Sequence, residues 1–370
     1  MAKAMAKRRR IAGAKFWDLP LPFLLTLIFI MAAGLITLYS ATGGRGPFHR
    51  QMIWNFGGLA CMFAFSLLNL KRVERYCHFI YLGALILLAA VFVIGKVTMG
   101  AQRWIPLGPI RVQPSELAKL ALVLALARVL VHQKGNFALK DLWKPAVLVM
   151  PAFVLTLLQP DLGTAMILLA LSGTLVLVRG VGKRTLVTLL ALFFIVGVVG
   201  GPFVWSHLKG YQKRRILAFI NPQAMAKDAG YHVLQSQTAI GSGRVWGKGF
   251  LRGSQGRLDF LPEEHTDFIF SVFAEERGFV GVVILLGLYF FLVFFALSVA
   301  VEARDAYSFY VAVGVATIYA LHFVINVGMT MGLLPVVGVP LPLMSYGGSS
   351  LITTYLGAGL VMAVHRRRTG

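Results

Sequence analysis

Acidic residues are scarce in this chain. Only 14 Asp and Glu stand against 36 Lys and Arg in 370 residues, a formal net charge of +22. Charged residues of both signs make up 14%, where soluble domains carry about a quarter. Cysteine is nearly absent: Cys61 lies in an apolar run and Cys77 in a basic short segment. Neither has a structural partner in view, so no disulfide framework and no Cys-based metal site is expected. No Walker-type phosphate loop, HExxH pair or nucleophile elbow occurs. The basic residues are spread over many short segments, which argues against nucleic-acid binding. There is no short internal repeat and no soluble domain.

What the chain does have is apolar length. Hydrophobic residues make up 58%, arranged in repeated runs near the ~20 residues that a bilayer-spanning helix needs. The expected fold class is therefore an all-α polytopic membrane protein. The lipid is then the solvent, and backbone groups must be satisfied within the protein. Residues 1–18 read as a basic cytoplasmic tail. The first apolar run, residues 19–39, is too long for a signal h-region and lacks a small-x-small cleavage site, so it is expected to stay as the first span. Further spans are expected near 52–70, 79–97, 114–131, 186–207, 279–300, 309–330 and 351–365.

The run from 145 to 178 needs a break. One helix of that length would be roughly 50 Å long, against a hydrocarbon core of about 30 Å. Gln159, Pro160 and Asp161 sit near its middle, and proline with an acid favours an interruption. Two spans there bring the total to ten in one domain, residues 19–370. Lys and Arg then gather on the segments facing the cytoplasm, as the positive-inside bias requires. Both termini fall inside, and one long extracytoplasmic loop, residues 208–266, separates spans 7 and 8. Ser115 is the expected N-cap of span 4, with Pro114 at the helix start.

This topology sends most of the remaining polar chemistry to the outer face: Trp104, Glu116, Lys119, Asp161, the long basic loop, Asp267, Ser345 and Tyr346. Six of the 14 acids fall between residues 258 and 278, and ionisable groups at membrane depth mark functional sites. Glu116 and Lys119 are three apart and share a helix face. Asp161 is placed to join them from a neighbouring helix or to cap the helix that follows it. Asp267 stands near a helix N-terminus, where the backbone dipole favours a carboxylate; it suits a general base or a ligand for a divalent metal. His265 is a second candidate base. Glu275 and Glu276 must project above the membrane or line a polar cavity. The glycines of the long loop cluster between 241 and 256, around Lys248, and Lys and Arg next to Gly-rich turns suit a phosphate-bearing partner.

These residues fall in recognisable stretches: AQRW at 101–104, QPSELAK at 113–119, QPDLGT at 159–164, AIGSG at 239–243, FLPEEHTDFIF at 260–270, AEERG at 274–278 and GVPLPLMSYGGSS at 338–350. The chain resembles the SEDS family (shape, elongation, division, sporulation) of cell-wall polymerases. KGFLRGSQ at 248–255 is closer to the elongation type, although Ser254 stands where that type has Thr, and Leu343-Met344 replaces its usual Phe-Val.

The resemblance implies ten spans in the bacterial cytoplasmic (inner) membrane. It implies a peptidoglycan glycosyltransferase that polymerises lipid II at the outer face, with a class B penicillin-binding protein as crosslinking partner in the elongation machinery. It assigns the essential aspartate to Asp267, the polar cavity to Glu116, Lys119 and Asp161, and an important tryptophan to Trp104. Arg103, Arg214, Arg215, Lys248, His265, Ser345 and Tyr346 are the further substrate-contact candidates. No cofactor motif is present; counter-charge for a leaving pyrophosphate would come from the basic loop, from Lys119, or from a divalent cation (Mg²⁺ or Mn²⁺). A lipid II flippase is the rival reading, since broken spans with intramembrane charge also suit transporters.

Overall fold

The computed structural model describes residues 20–369, apart from 99–100, 109, 134–137, 208–209, 226–228 and 254–265. Twelve α-helices lie among the described residues: α1 Leu21–Thr42, α2 Gly46–Ser66, α3 Leu70–Ile94, α4 Pro114–Val131, α5 Trp143–Leu158, α6 Leu162–Arg179, α7 Lys183–His207, α8 Gly210–Ile220, α9 Ala229–Ser242, α10 Ile269–Val301, α11 Ala306–Thr330 and α12 Gly348–Thr369. Five of them (α1, α3, α6, α10 and α11) are long and apolar enough to cross a membrane by length and composition. Large apolar side chains such as Phe29, Phe79, Val93, Phe194, Phe290 and Phe294 point outward from them and from α7. Such a surface would aggregate in water and is satisfied by lipid.

Two helices sit innermost. α4 and α11 bury most of their residues, on more than one face, as a helix enclosed by others does. α4 packs on α3 and α11, α10 on α11 and α1, and α12 along α2. The break between α5 and α6 falls at residues 159–161, as proline and an acid there require. Asp161 is the N-cap of α6.

Three details depart from expectation. Residues 96–112 form a small antiparallel sheet, β1 Lys96–Thr98, β2 Ala101–Leu107 and β3 Ile110–Val112, in the order β1-β2-β3. The segment between the seventh and eighth expected spans contains two helices, α8 and α9. The N-cap of α4 is Gln113, because Pro114 takes the first helical position. Ser115 is therefore inside the helix, and its Oγ is buried without a hydrogen-bond partner.

The helix α10 is interrupted. Gly278 has φ 63° and ψ −166°, far from helical values. The freed backbone groups on either side are taken up by residues 244–249. Lys248 and Gly249 N–H donate to the carbonyls of Glu275 (2.9 Å) and Glu276 (3.1 Å), while Phe279 and Val280 N–H donate to those of Arg244 (2.8 Å) and Val245 (3.1 Å). Glycine is required at 278 twice over: the φ is left-handed, and a Cβ there would lie 2.2 Å from the Gly247 nitrogen.

Candidate active site

Glu116, in the first turn of α4, accepts a hydrogen bond from Lys119 Nζ at 2.7 Å. Both side chains are buried, at 4% and 1% exposure. An ion pair so deep is costly unless each charge keeps its partners. Lys119 has a second one: its Nζ lies 2.6 Å from Nε2 of His322 on α11. The other ring nitrogen of His322 faces the Pro340 carbonyl at 3.2 Å. One turn further along α11, on the same face, Asn326 Nδ2 donates to the carbonyls of Val339 (2.8 Å) and Asp267 (3.0 Å). Its Oδ1 is buried without a hydrogen-bond partner.

The segment 338–345 thus occupies the middle of the site. It has no regular secondary structure, and side chains supply what a helix would. Besides the bonds from His322 and Asn326, Tyr289 of α10 donates to the Pro342 carbonyl at 2.6 Å. Leu341 N–H donates to Ser345 Oγ at 2.8 Å, and Gln51 of α2 donates to the Ser345 carbonyl at 3.0 Å. Irregular backbone at membrane depth is tolerated only when buried in protein in this way. Gly338 opens the segment with φ 73°; a Cβ there would lie 3.2 Å from Asp267 Oδ2. The Asp267 carboxylate therefore stands against this segment, two residues before the start of α10.

Asp161 belongs to a separate polar group. Its carboxylate accepts from Thr164 N–H (3.3 Å) and Oγ1 (2.9 Å), from Gln113 Nε2 (3.3 Å), and pairs with Arg103 at 3.7 Å. Arg103, on β2, also donates to the carbonyls of Gln159 and Pro160. Lys119 pairs with Glu116, not with Asp161. Of the two places open to Asp161, it takes the cap of α6, in a group separate from Glu116 and Lys119. Trp104 is half-buried on β2 beside Arg103.

Glu275 and Glu276 are both buried, at 0% and 2% exposure. Lys248 pairs with Glu275 at 2.5 Å, and Glu276 accepts from Ser40 Oγ and, at 3.1 Å, from Leu251 N–H. These contacts fasten residues 244–251 to the α10 break. Arg215 of α8 lines a cavity with His232, Val233, Gly332 and Val336. The His232 ring lies 6.2 Å from that of Phe268, the neighbour of Asp267. Arg214, on the same helix, is exposed. Ser345 is buried, and Tyr346 beside it half-buried. His265 lies outside the described residues.

His322 and Asn326 were not among the expected site residues. Their signal was present: two polar side chains four apart in an otherwise apolar span, and such residues at membrane depth point inward to partners.

Comparison with known proteins agrees along the length of the chain. The family model described as cell cycle protein, FtsW/RodA/SpoVE, matches residues 16–370. The peptidoglycan glycosyltransferase MrdB of Escherichia coli is 41% identical over 362 residues, covering 95% of this chain and 96% of that protein. The peptidoglycan glycosyltransferase RodA of Treponema pallidum is 33% identical, covering 97% and 100%. Among solved structures, a chain from work on structural coordination of polymerization and crosslinking by a peptidoglycan synthase complex superposes with a TM-score of 0.83 at 37% identity, covering 95% and 99%. The rod shape determining protein RodA of Thermus thermophilus gives 0.72 at 34%, covering 95% and 98%. With a family model spanning nearly every residue, and relatives of this identity matched end to end, the chain belongs to the FtsW/RodA/SpoVE family of bacterial integral membrane proteins.

Proposed function

We propose that this protein is a peptidoglycan glycosyltransferase of cell elongation that polymerises lipid II through a site built around Asp267. The family relationship carries the activity. One observation carries the site: Asp267 lies against the segment 338–345, which α11 also ties to the buried Glu116–Lys119 pair.

In this reading Asp267 takes the proton from the 4-hydroxyl of one lipid-linked sugar. That oxygen attacks the anomeric carbon of the other sugar, the bond to the pyrophosphate breaks, and undecaprenyl pyrophosphate leaves with the electron pair. A base on the face opposite the leaving group gives inversion. Cationic side chains stabilise the leaving pyrophosphate. Arg215 is one candidate: it lines a cavity together with His232, whose ring lies 6.2 Å from that of Phe268, the neighbour of Asp267.

Among the described residues no three His, Cys, Asp or Glu side chains gather to hold a metal. Mg²⁺ typically takes one or two protein oxygens together with substrate phosphates. The Asp267 carboxylate would be the protein oxygen donor to such a cation, which would supply counter-charge to the pyrophosphate.

The ten-span arrangement fits the same reading: α1 to α7 and α10 to α12 as spans, both termini in the cytoplasm and the site facing outward. A class B penicillin-binding protein is the proposed crosslinking partner. This is supported by the likeness to a chain of a peptidoglycan synthase complex.

The test is polymerisation of purified lipid II by the detergent-solubilised protein, with and without divalent cation and partner, beside Asp267→Asn. Wild type is expected to make glycan chains and the folded variant none. Chains made by Asp267→Asn would remove Asp267 as the base. Absence of chains in every condition, with lipid II crossing vesicle membranes, would favour a flippase.

A further inference from the structure

His322 is a buried group for which the reaction above has no use. It is 3% exposed on the innermost face of α11, and both ring nitrogens are engaged: Nε2 with Lys119 Nζ and Nδ1 with the Pro340 carbonyl. The carbonyl can only accept, so Nδ1 must carry a proton. Lys119 Nζ donates to the Glu116 carboxylate at 2.7 Å, the contact of an ammonium with its counter-ion. An ammonium can only donate, so Nε2 must present its lone pair. The partners therefore specify a single form of the ring, neutral and protonated at Nδ1.

We propose that His322, as this Nδ1–H tautomer, is a positioning residue of the transferase. It joins the ammonium of Lys119 on α4 to the segment that bears on Asp267. It does not touch the reacting atoms and carries no proton in the reaction. By accepting from Lys119 it fixes where that charge sits. By donating to Pro340 it fixes the backbone two residues after Gly338, whose α-carbon faces the Asp267 carboxylate. Asn326 makes the neighbouring tie, to Val339 and to the Asp267 carbonyl. The proposal rests on the assignment of the site to Asp267 and Lys119.

A role of this kind predicts an unusual substitution pattern. Glutamine offers an acceptor oxygen and a donor nitrogen on a planar head, as the neutral ring offers an acceptor and a donor nitrogen. It cannot, however, act as an acid-base group. His322→Leu removes both bonds and leaves the Pro340 carbonyl without its donor. The expected result is a fall in kcat of about tenfold or more with a smaller change in KM, since misplacement of a catalytic group acts on the chemical step. His322→Gln is expected to recover most of that loss. Polymerisation of lipid II by wild type, His322→Leu, His322→Gln and Asp267→Asn should be measured side by side, with melting curves for each.

Wild-type rates in folded His322→Leu, with Asp267→Asn inactive, would overturn the proposal and leave the Asp267 site standing. A folded His322→Gln as impaired as His322→Leu would also overturn it, in favour of proton transfer by the ring. Activity in Asp267→Asn would overturn the site assignment and this proposal together. If His322→Leu does not fold, ¹⁵N spectra of histidine-labelled wild-type protein decide the matter, with His322→Gln identifying the signal. A neutral Nδ1–H ring is expected; an imidazolium or an Nε2–H tautomer overturns the proposal.

Discussion

Gly338→Ala tests the geometry around Asp267 with a single methyl group. Two effects add at this position. The backbone has φ 73°, and a non-glycine residue in the left-handed region costs about 1–2 kcal/mol. The new Cβ would also stand 3.2 Å from Asp267 Oδ2, a few tenths of an ångström inside ordinary contact. The carboxylate must shift by about that much. A misplacement of about 1 Å can cost a hundredfold in rate, so a shift of a few tenths is expected to cost several-fold to about tenfold.

Gly43→Ala separates the two effects. Gly43 caps α1 with φ 61° and ψ 30°, and nothing lies within 4 Å of its would-be Cβ. It therefore carries the backbone cost without the crowding. Both variants should lose the backbone cost of about 1–2 kcal/mol, and Gly338→Ala more than Gly43→Ala because of the crowding, measured by thermal or denaturant unfolding in detergent. Only Gly338→Ala should lose polymerase turnover. Equal turnover in the two folded variants would refute the placement of Gly338 against the carboxylate.

Two further outcomes follow from buried partners. Glu116→Gln and Lys119→Met should each destabilise by about 3–5 kcal/mol, because each strands a buried charge, while the double variant should lose less than the sum; additive unfolding energies would mean that the pair is not coupled. Gly278→Ala should abolish the folded protein or release residues 244–249 from α10, since its Cβ would meet the Gly247 nitrogen at 2.2 Å. Unaltered proteolysis in that segment would count against the described break.

The fold was readable where physics leaves a mark on composition. Proline and Asp161 inside a run too long for the bilayer announced the α5–α6 break. Among the carboxylates between residues 258 and 278, Glu275 and Glu276 are buried against Lys248, Ser40 and Leu251, since charge near lipid needs partners. The sheet formed by β1, β2 and β3 was not readable: its strands are short, β1 and β3 having three residues each, and Gly100, Pro106, Gly108 and Pro109 punctuate the segment. Ser115 misled because a cap preference is local, while Pro114 decided which residue starts the helix. The division of Glu116, Lys119 and Asp161 into two groups depends on Arg103 meeting Asp161 and on His322, 203 residues away, meeting Lys119, and no spacing rule carries that information.

Segment 338–345 has a consequence for motion. A stretch without secondary structure is ordinarily the first to open, and its amides are the first to exchange with solvent. Here the carbonyls of Val339, Pro340, Pro342 and Ser345 are each fastened by a side chain from α2, α10 or α11. The amides of Leu341, Met344 and Ser345 are bonded within the segment. Opening it would strand those groups in the bundle interior, so its amide hydrogens should exchange as slowly as those of the central helices. A backbone of irregular shape can then wait for its substrate already in working form, with no ordering step left for binding to drive.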